Sequence, residues 1–225
     1  MSGHLLSLLV FLPLLGAVVI WLLPVRAARG LAALVMLATL AAATSVLVAF
    51  DPAGPRFQLL ERVLWVASLN VHYQVGVDGL SVLFLPATAL VFLGSLVACW
   101  NFVLNAPRLH YSLLLLLQCA TLGIFCALDT VLFFFFWELT LPPIYFLVAR
   151  WGATAGSARV AARYFLIMLA GGVPLLLAFV LLATSQSVPT FDLLTLLAVP
   201  LPRSTQYAVF LLCLIGFGVK FALQK

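Results

Sequence analysis

Charged side chains are scarce in this chain: they make up 8% of its 225 residues, and only six residues are acidic. Hydrophobic residues make up 66%, which is more apolar surface than a soluble domain of this size can bury. The eleven Lys and Arg residues are scattered singly rather than gathered in a patch, so we expect no nucleic-acid partner. The composition therefore predicts a polytopic protein of the lipid bilayer.

Motifs that carry redox or nucleotide chemistry are also missing. None of the four cysteines forms a CxxC pair, and the three histidines do not stand at metal-ligand spacing from them. The sequence contains no phosphate-binding loop and no dinucleotide fingerprint. We therefore expect no metal, haem or other cofactor to be bound by this chain itself.

Seven apolar segments are each close to the ~20 residues that a membrane helix needs. They cover approximately 5–23, 31–50, 79–100, 110–128, 130–149, 161–183 and 207–225. The sequence thus predicts an all-α transmembrane helical bundle that forms a single domain over residues 1–225.

The longest connection, residues 51–78, contains the only plausible strands of the sequence, at 57–65 and 71–77. We expect this external loop to form a short hairpin on the membrane surface. At its end, Asp78 is placed to cap the N-terminus of the third helix. Asp129, at the start of the fifth helix, is expected to be solvated.

Arginine is distributed unequally between the connections. Six arginines fall in the first, third and fifth connections, and three in the second, fourth and sixth. Because positive residues are retained on the inner side, the odd connections are expected inside and the N-terminus outside.

Glu138 is the most informative residue of the sequence, because it follows four phenylalanines and Trp137 in the fifth apolar segment. A carboxylate at the centre of a membrane helix costs roughly 2.5–3.5 kcal/mol, so such a residue normally marks a proton or ion site. The alternative is a structural acid that ties two helices together. Pro142 and Pro143 favour the first interpretation, since each removes a backbone donor and should break the helix beside the acid.

Lys220 is a second ionisable residue within an apolar segment. If Lys220 and Glu138 make and break an ion pair, they can load and release a proton. The alternative is a permanent pair that only neutralises both charges. Gly216 and Gly218 precede Lys220 and are expected to break the seventh helix there, whereas the Gly171-Gly172 pair of the sixth segment predicts close helix packing.

Four stretches carry a resemblance to a known family: YQVGVDGLSVLFLP (73–86), LFFFFWELTLPPIYF (132–146), RYFLIMLAGG (163–172) and GFGVK (216–220). Together they resemble the antiporter-like membrane subunits of NADH:quinone oxidoreductase (respiratory complex I), and most closely subunit M, or chain 4. In that family a fifth-helix glutamate and a seventh-helix lysine form a proton-handling pair. Glu138 and Lys220 stand at the matching positions.

The resemblance implies a role in a larger pump. The chain would be a non-redox subunit of a proton-translocating enzyme in an energy-transducing inner or cell membrane. Its partners would be other complex I membrane subunits. NADH, FMN, iron–sulfur clusters and quinone would be held by other subunits of the complex. Because family members have two inverted repeats, we expect a fragment cut within the first repeat that is inactive alone. Phe221, Gln224 and Lys225 depart from the family pattern.

Two alternatives remain open at this point. The chain could belong to a multisubunit sodium/proton antiporter or a membrane-bound hydrogenase of the same superfamily. It could also be a stand-alone secondary carrier, or an assembly subunit in which Glu138 is structural. A stand-alone carrier would transport ions when purified alone, whereas a complex subunit would not.

Overall fold

The computed structural model describes residues 4–101, 105–186 and 188–222. Seven helical segments in this part of the chain are long and apolar enough to cross a membrane, which confirms the predicted fold class. They are Leu5–Leu22, Val25–Ala49, Ser81–Ala98, Pro107–Cys126, Thr130–Trp151, Ser157–Thr184 and Arg203–Phe221. Gln224 and Lys225 lie outside the described residues.

The residues form two compact units, each of which is described separately. The first unit comprises Met1–Glu61 and Val75–Cys126, and the second comprises Arg62–Gln74 and Ala127–Lys225. The first unit contains four helices, α1 (Leu5–Leu22), α2 (Ala28–Ala49, after a 3-10 turn at Val25–Ala27), α3 (Ser81–Ala98) and α4 (Pro107–Cys126).

Small and polar residues hold these four helices together. A Cβ atom on Gly16 would lie 2.7 Å from Val35 Cγ2, so only glycine allows this close approach of α1 and α2. The Ser112 hydroxyl of α4 donates a 3.0 Å hydrogen bond to the Ala17 carbonyl of α1. Helix α4 contacts all three other helices and is the most buried span of the unit.

The predicted hairpin is present as β1 (Gln58–Val66) and β2 (Val71–Val77), which form a two-stranded sheet. In the first unit, the buried Glu61 carboxylate of β1 accepts hydrogen bonds from the backbone N–H groups of Leu6 and Ser7 at the start of α1. These groups have no partner within the helix itself, so Glu61 caps α1 from a distant strand.

Asp78 caps the start of α3, as predicted. Its Oδ1 accepts hydrogen bonds from Leu80 N at 3.2 Å and Ser81 N at 2.7 Å, while Ser81 Oγ accepts one from Asp78 N. Burial alone would raise the pKa of Asp78, but the bonds from Ser81 and Leu80 and the charge of Arg56 outweigh it and lower the pKa.

The second unit contains α5 (Thr130–Leu139), α6 (Leu141–Trp151), α7 (Ser157–Thr184), α8 (Leu193–Ala198) and α9 (Arg203–Ala222). Helices α5 and α6 together form the fifth span, and α7 contacts α5, α6 and α9. The sequence did not predict α8, whose six residues extend only about 9 Å and cannot cross a bilayer.

The expectation that Asp129 is solvated is wrong. Asp129 is 1% exposed and caps α5, because its Oδ1 accepts hydrogen bonds from Val131 N and Leu132 N. Its Oδ2 accepts a third from His72 N of β2, at 3.0 Å. The end of the hairpin therefore covers this carboxylate, an effect of a residue 57 positions away in the sequence.

The predicted break at Gly216 and Gly218 is also wrong, since α9 is continuous from Arg203 to Ala222. The glycines serve close packing instead. A Cβ on Gly216 would lie 2.9 Å from Leu175 Cβ of α7, and a Cβ on Gly171 would lie 2.6 Å from Val219 Cγ1 of α9. Small residues on both helices thus bring the two backbones together, as in other membrane helix pairs, and α7 has the close packing expected at Gly171.

Candidate functional site

The fifth span changes helix directly after Glu138. Helix α5 ends at Leu139 and α6 begins at Leu141, with the two prolines in its first turn. In an uninterrupted helix, residues 142 and 143 would donate to the carbonyls of Glu138 and Leu139, and proline has no N–H to donate. The proline pair therefore leaves backbone carbonyls near Glu138 open to other donors.

Thr140 occupies the junction between the two helices. Its hydroxyl donates a 2.7 Å hydrogen bond to the Trp137 carbonyl, and its backbone N–H bonds the Glu138 carbonyl. The side chain is buried, so the Thr140 hydroxyl is a fixed polar group within an apolar span.

Lys220 of α9 reaches this junction. Its Nζ donates hydrogen bonds to the Trp137 carbonyl and to Thr140 Oγ1, both at 3.1 Å. The ammonium also lies 3.7 Å from the centroid of the Trp137 ring, a cation–π contact. The group is thus held by two acceptors and an aromatic face, all within two residues of Glu138.

The Glu138 carboxylate lies in a narrow space against α7. Both of its oxygens are buried and, within the described residues, neither has a hydrogen-bond partner. A Cβ on Gly172 would collide with Glu138 Oε1, so glycine at this position makes room for the carboxylate. A buried carboxylate without partners is costly, which makes this group ready to accept a proton or a cationic partner.

Glu138 and Lys220 are neighbours but not a direct ion pair. No ion pair within 4.0 Å joins these two described residues. The lysine instead faces an open cavity of about 710 Å³, lined by Trp137, Phe217 and other residues of α9. The arrangement therefore provides a cation with alternative partners: the acceptors it now uses, and an unbonded carboxylate close to them.

The part of the chain that the structure describes contains no set of side chains suited to bind a metal ion. No group of three or more His, Cys, Asp or Glu side chains is close enough together there to hold a metal ion.

Comparison with known proteins places this site in a family. Residues 127–224, which include Glu138 and Lys220, match the family model described as the transmembrane region of NADH:quinone oxidoreductase and Mrp antiporters. The F(420)H(2) dehydrogenase subunit M of Methanosarcina mazei is 34% identical over 222 residues, covering 95% of this chain. The chain belongs to this family of antiporter-like membrane subunits.

Two further family members support the assignment. An NAD(P)H-quinone oxidoreductase chain 4 of Nostoc sp. is 36% identical over 173 residues, or 76% of this chain. A chain of respiratory complex I from Thermus thermophilus superposes with a TM-score of 0.80 at 28% identity, covering 94% of this chain. This chain spans less than half of these relatives: 45%, 31% and 43% of their respective lengths.

Sequence reasoning singled out Glu138 and Lys220 but missed Thr140 and Gly172. Thr140 was detectable as the first hydroxyl residue after Glu138 in an otherwise apolar stretch. Gly172 was recognised from the sequence as a packing residue. Its position against a carboxylate depends on how α5 and α7 meet, which the sequence alone does not give.

Proposed function

We propose that this chain is part of a membrane subunit of a proton-pumping NADH:quinone oxidoreductase and carries part of a proton path through Glu138 and Lys220. The observation that carries the proposal is the position of the Lys220 ammonium, which bonds the Trp137 carbonyl one residue before an unpartnered buried carboxylate. Buried ionisable residues in membrane helices are rare and typically mark such paths.

The proposed mechanism is a change of partner by Lys220. In the arrangement described above, the ammonium rests on Thr140 and the Trp137 carbonyl. When it moves to Glu138, the pair stabilises both charges; when it moves back, the carboxylate is left unpaired and takes up a proton. Moving one charge fully against 100 mV costs about 2.3 kcal/mol, so the motion must be driven by the redox chemistry of other subunits.

The wider setting is part of the same proposal. The chain would contribute no redox chemistry, and NADH, FMN, iron–sulfur clusters and quinone would be held by other subunits. It would lie in an energy-transducing inner or cell membrane beside other membrane subunits, with its N-terminus outside. The unequal distribution of arginine supports this orientation.

A sodium/proton antiporter subunit is the main alternative, because the matching family description names Mrp antiporters as well. The oxidoreductase assignment is favoured by the names of the two relatives at 34% and 36% identity, both subunits of electron-transfer enzymes. Proton transport that requires quinone reduction and not sodium would support it, whereas sodium-dependent transport without electron transfer would favour the antiporter.

The test is proton translocation by the full-length protein in its complex, with Glu138→Gln compared with Glu61→Gln. Glu138→Gln removes the titratable group, and we expect translocation to fall at least ~10²-fold, the low end for a positioned proton-transfer group. Glu61→Gln is the control, since Glu61 is also a buried acid but caps α1. Normal translocation by Glu138→Gln would refute the proposal.

A further inference from the structure

Asp129 is a buried carboxylate that the Glu138–Lys220 mechanism does not use. Around it lie His72 of β2, whose backbone N–H donates to it, Arg62 of β1, and Asp192, the residue that caps α8. Arg62 is half exposed, with its Nη1 3.7 Å from Asp192 Oδ2 and its Nη2 3.3 Å from His72 Nε2. The side chains of the hairpin therefore link the surroundings of Asp129 to the protein surface.

A small cavity of about 200 Å³ lies directly against Asp129. Its walls also include Thr130 and the rings of Phe133, Phe179 and Phe217. A space of this size has room for several water molecules of about 30 Å³ each, and Asp129 and Thr130 are polar residues of its wall to which buried water can bond.

The same aromatic rings border the cavity of Lys220. Phe217 lines both cavities. Its ring lies 5.3 Å from that of Trp137 and 6.4 Å from that of Phe133. Asp129, Phe133 and Trp137 follow one another at intervals of four residues, so they lie along one side of α5 over roughly 12 Å.

From this alignment we propose that Asp129 is a second proton-carrying residue of the path and that the Phe217 ring is a gate between its cavity and that of Lys220. The inference rests on the proposed function. When the ring turns aside, water connects the two cavities; when it closes, the apolar wall interrupts the chain of water, as hydrophobic constrictions do in channels.

The proton transfer changes only N–H and O–H bonds. The Lys220 ammonium releases a proton to the connecting water and becomes a neutral amine, while the Asp129 carboxylate takes up a proton at its other end and becomes a neutral acid. Burial raises the pKa of Asp129 despite the hydrogen bonds from His72, Leu132 and Val131, so the neutral acid is an accessible state. Exchange with solvent then occurs beside Arg62 and His72.

The first experiment compares two buried helix caps in the full-length protein within its complex. Asp129→Asn and Asp129→Ser remove the titratable group but keep residue types that cap helices well. Glu61→Gln is the control, because Glu61 is also a buried carboxylate that caps a helix but does not line the cavity. We expect proton translocation to be slowed roughly tenfold or more in both Asp129 variants and to be near normal in Glu61→Gln.

Glu138→Gln is measured alongside to separate the two claims. If Glu138→Gln is impaired while both Asp129 variants translocate normally, the inference about Asp129 is overturned and the proposed function stands. If Glu138→Gln translocates normally, the proposed function fails, and the route from Asp129 to the pair fails with it. An equal loss in Glu61→Gln would mean that loss of a buried helix cap, not of proton transfer, explains the Asp129 result, and would also overturn the inference.

A spectroscopic readout and a gate variant complete the test. Infrared difference spectra across a pH titration should contain a protonated-carboxyl C=O band that is lost in Asp129→Asn and retained in Glu61→Gln. Absence of such a band in the unmodified protein would overturn the role of Asp129. Phe217→Ala should increase the passive proton leak of vesicles in the absence of turnover, and an unchanged leak would overturn the gate.

Discussion

At the scale of single residues, the position of one ammonium group sets the chemistry of the site. Lys220 has two oxygen acceptors and one aromatic face, all from Trp137 and Thr140 beside the interruption of the fifth span. Thr140 is a positioning residue in this arrangement, because it acts by holding Lys220 away from the carboxylate.

Replacement of Thr140 by valine should therefore shift Lys220 toward Glu138. Valine keeps the shape but removes the hydroxyl, and a hydrogen bond to a charged group is worth about 1.5–3 kcal/mol, or roughly tenfold to a hundredfold in the population of the present position. We expect the pH profile of proton translocation to shift in Thr140→Val and to return in Thr140→Ser. An identical profile in all three proteins would show that the hydroxyl does not position Lys220.

Glu138 and Lys220 could be singled out as candidate residues from the sequence, because a charge within an apolar run is visible without a fold. Their neighbours could not. Lys220 bonds a carbonyl 83 residues earlier in the chain, and His72 rather than solvent covers Asp129. Both contacts result from long-range packing. Local patterns contain no information about such contacts.

At the scale of secondary-structure elements, the contact between α7 and α9 fixes where Lys220 lies. Gly171 and Gly216 bring the two backbones close, which explains why a glycine-containing stretch remained helical where we expected a break. The fifth span is interrupted at its prolines, which lack the backbone hydrogen-bond donor. Helix α9 continues through its glycines, because glycine keeps this donor.

Two glycines of α9 provide a matched pair for this claim. Gly216→Ala places a methyl group 2.9 Å from Leu175 Cβ and should destabilise the protein by about 1–3 kcal/mol. Gly218→Ala meets no atom within 4 Å and should be neutral or stabilise by up to about 1 kcal/mol. Unfolding of the detergent-solubilised protein measures both; equal stability of the two variants would contradict the packing.

The cap of α3 should respond to acid. Because the pKa of Asp78 is lowered in the folded protein, its contribution to stability is present above the unfolded value of about 3.9 and is lost as the pH falls through the folded value. Hydrogen exchange of the first amides of α3 should therefore accelerate in that acidic range in the unmodified protein. Asp78→Asn should remove this pH dependence, and an unchanged dependence would exclude Asp78 as its source.

At the scale of the whole molecule, the number of membrane spans followed from composition and segment length alone. Seven long apolar runs were predicted, and the described part of the chain contains seven helical segments that are long and apolar enough to cross a membrane. The short α8 was missed because its six residues lie in a connection and carry no membrane signal. Orientation remains a prediction from the distribution of arginine.

Site-directed labelling can test that orientation. In a variant without the native cysteines, Ala53→Cys lies in the second connection and Ala153→Cys in the fifth, and both positions are exposed. We expect an impermeant maleimide added to intact cells to label position 53 and not position 153. The opposite pattern would invert the proposed topology.

The most direct test of the central claim is proton translocation by the full-length protein carrying Lys220→Met, measured with quinone reduction in the same vesicles. Methionine keeps an unbranched side chain of similar length but has no proton to exchange. We expect translocation to fall at least roughly a hundredfold, the low end for loss of a positioned proton-transfer group. Normal proton translocation by Lys220→Met would refute a role of Lys220 in the proton path.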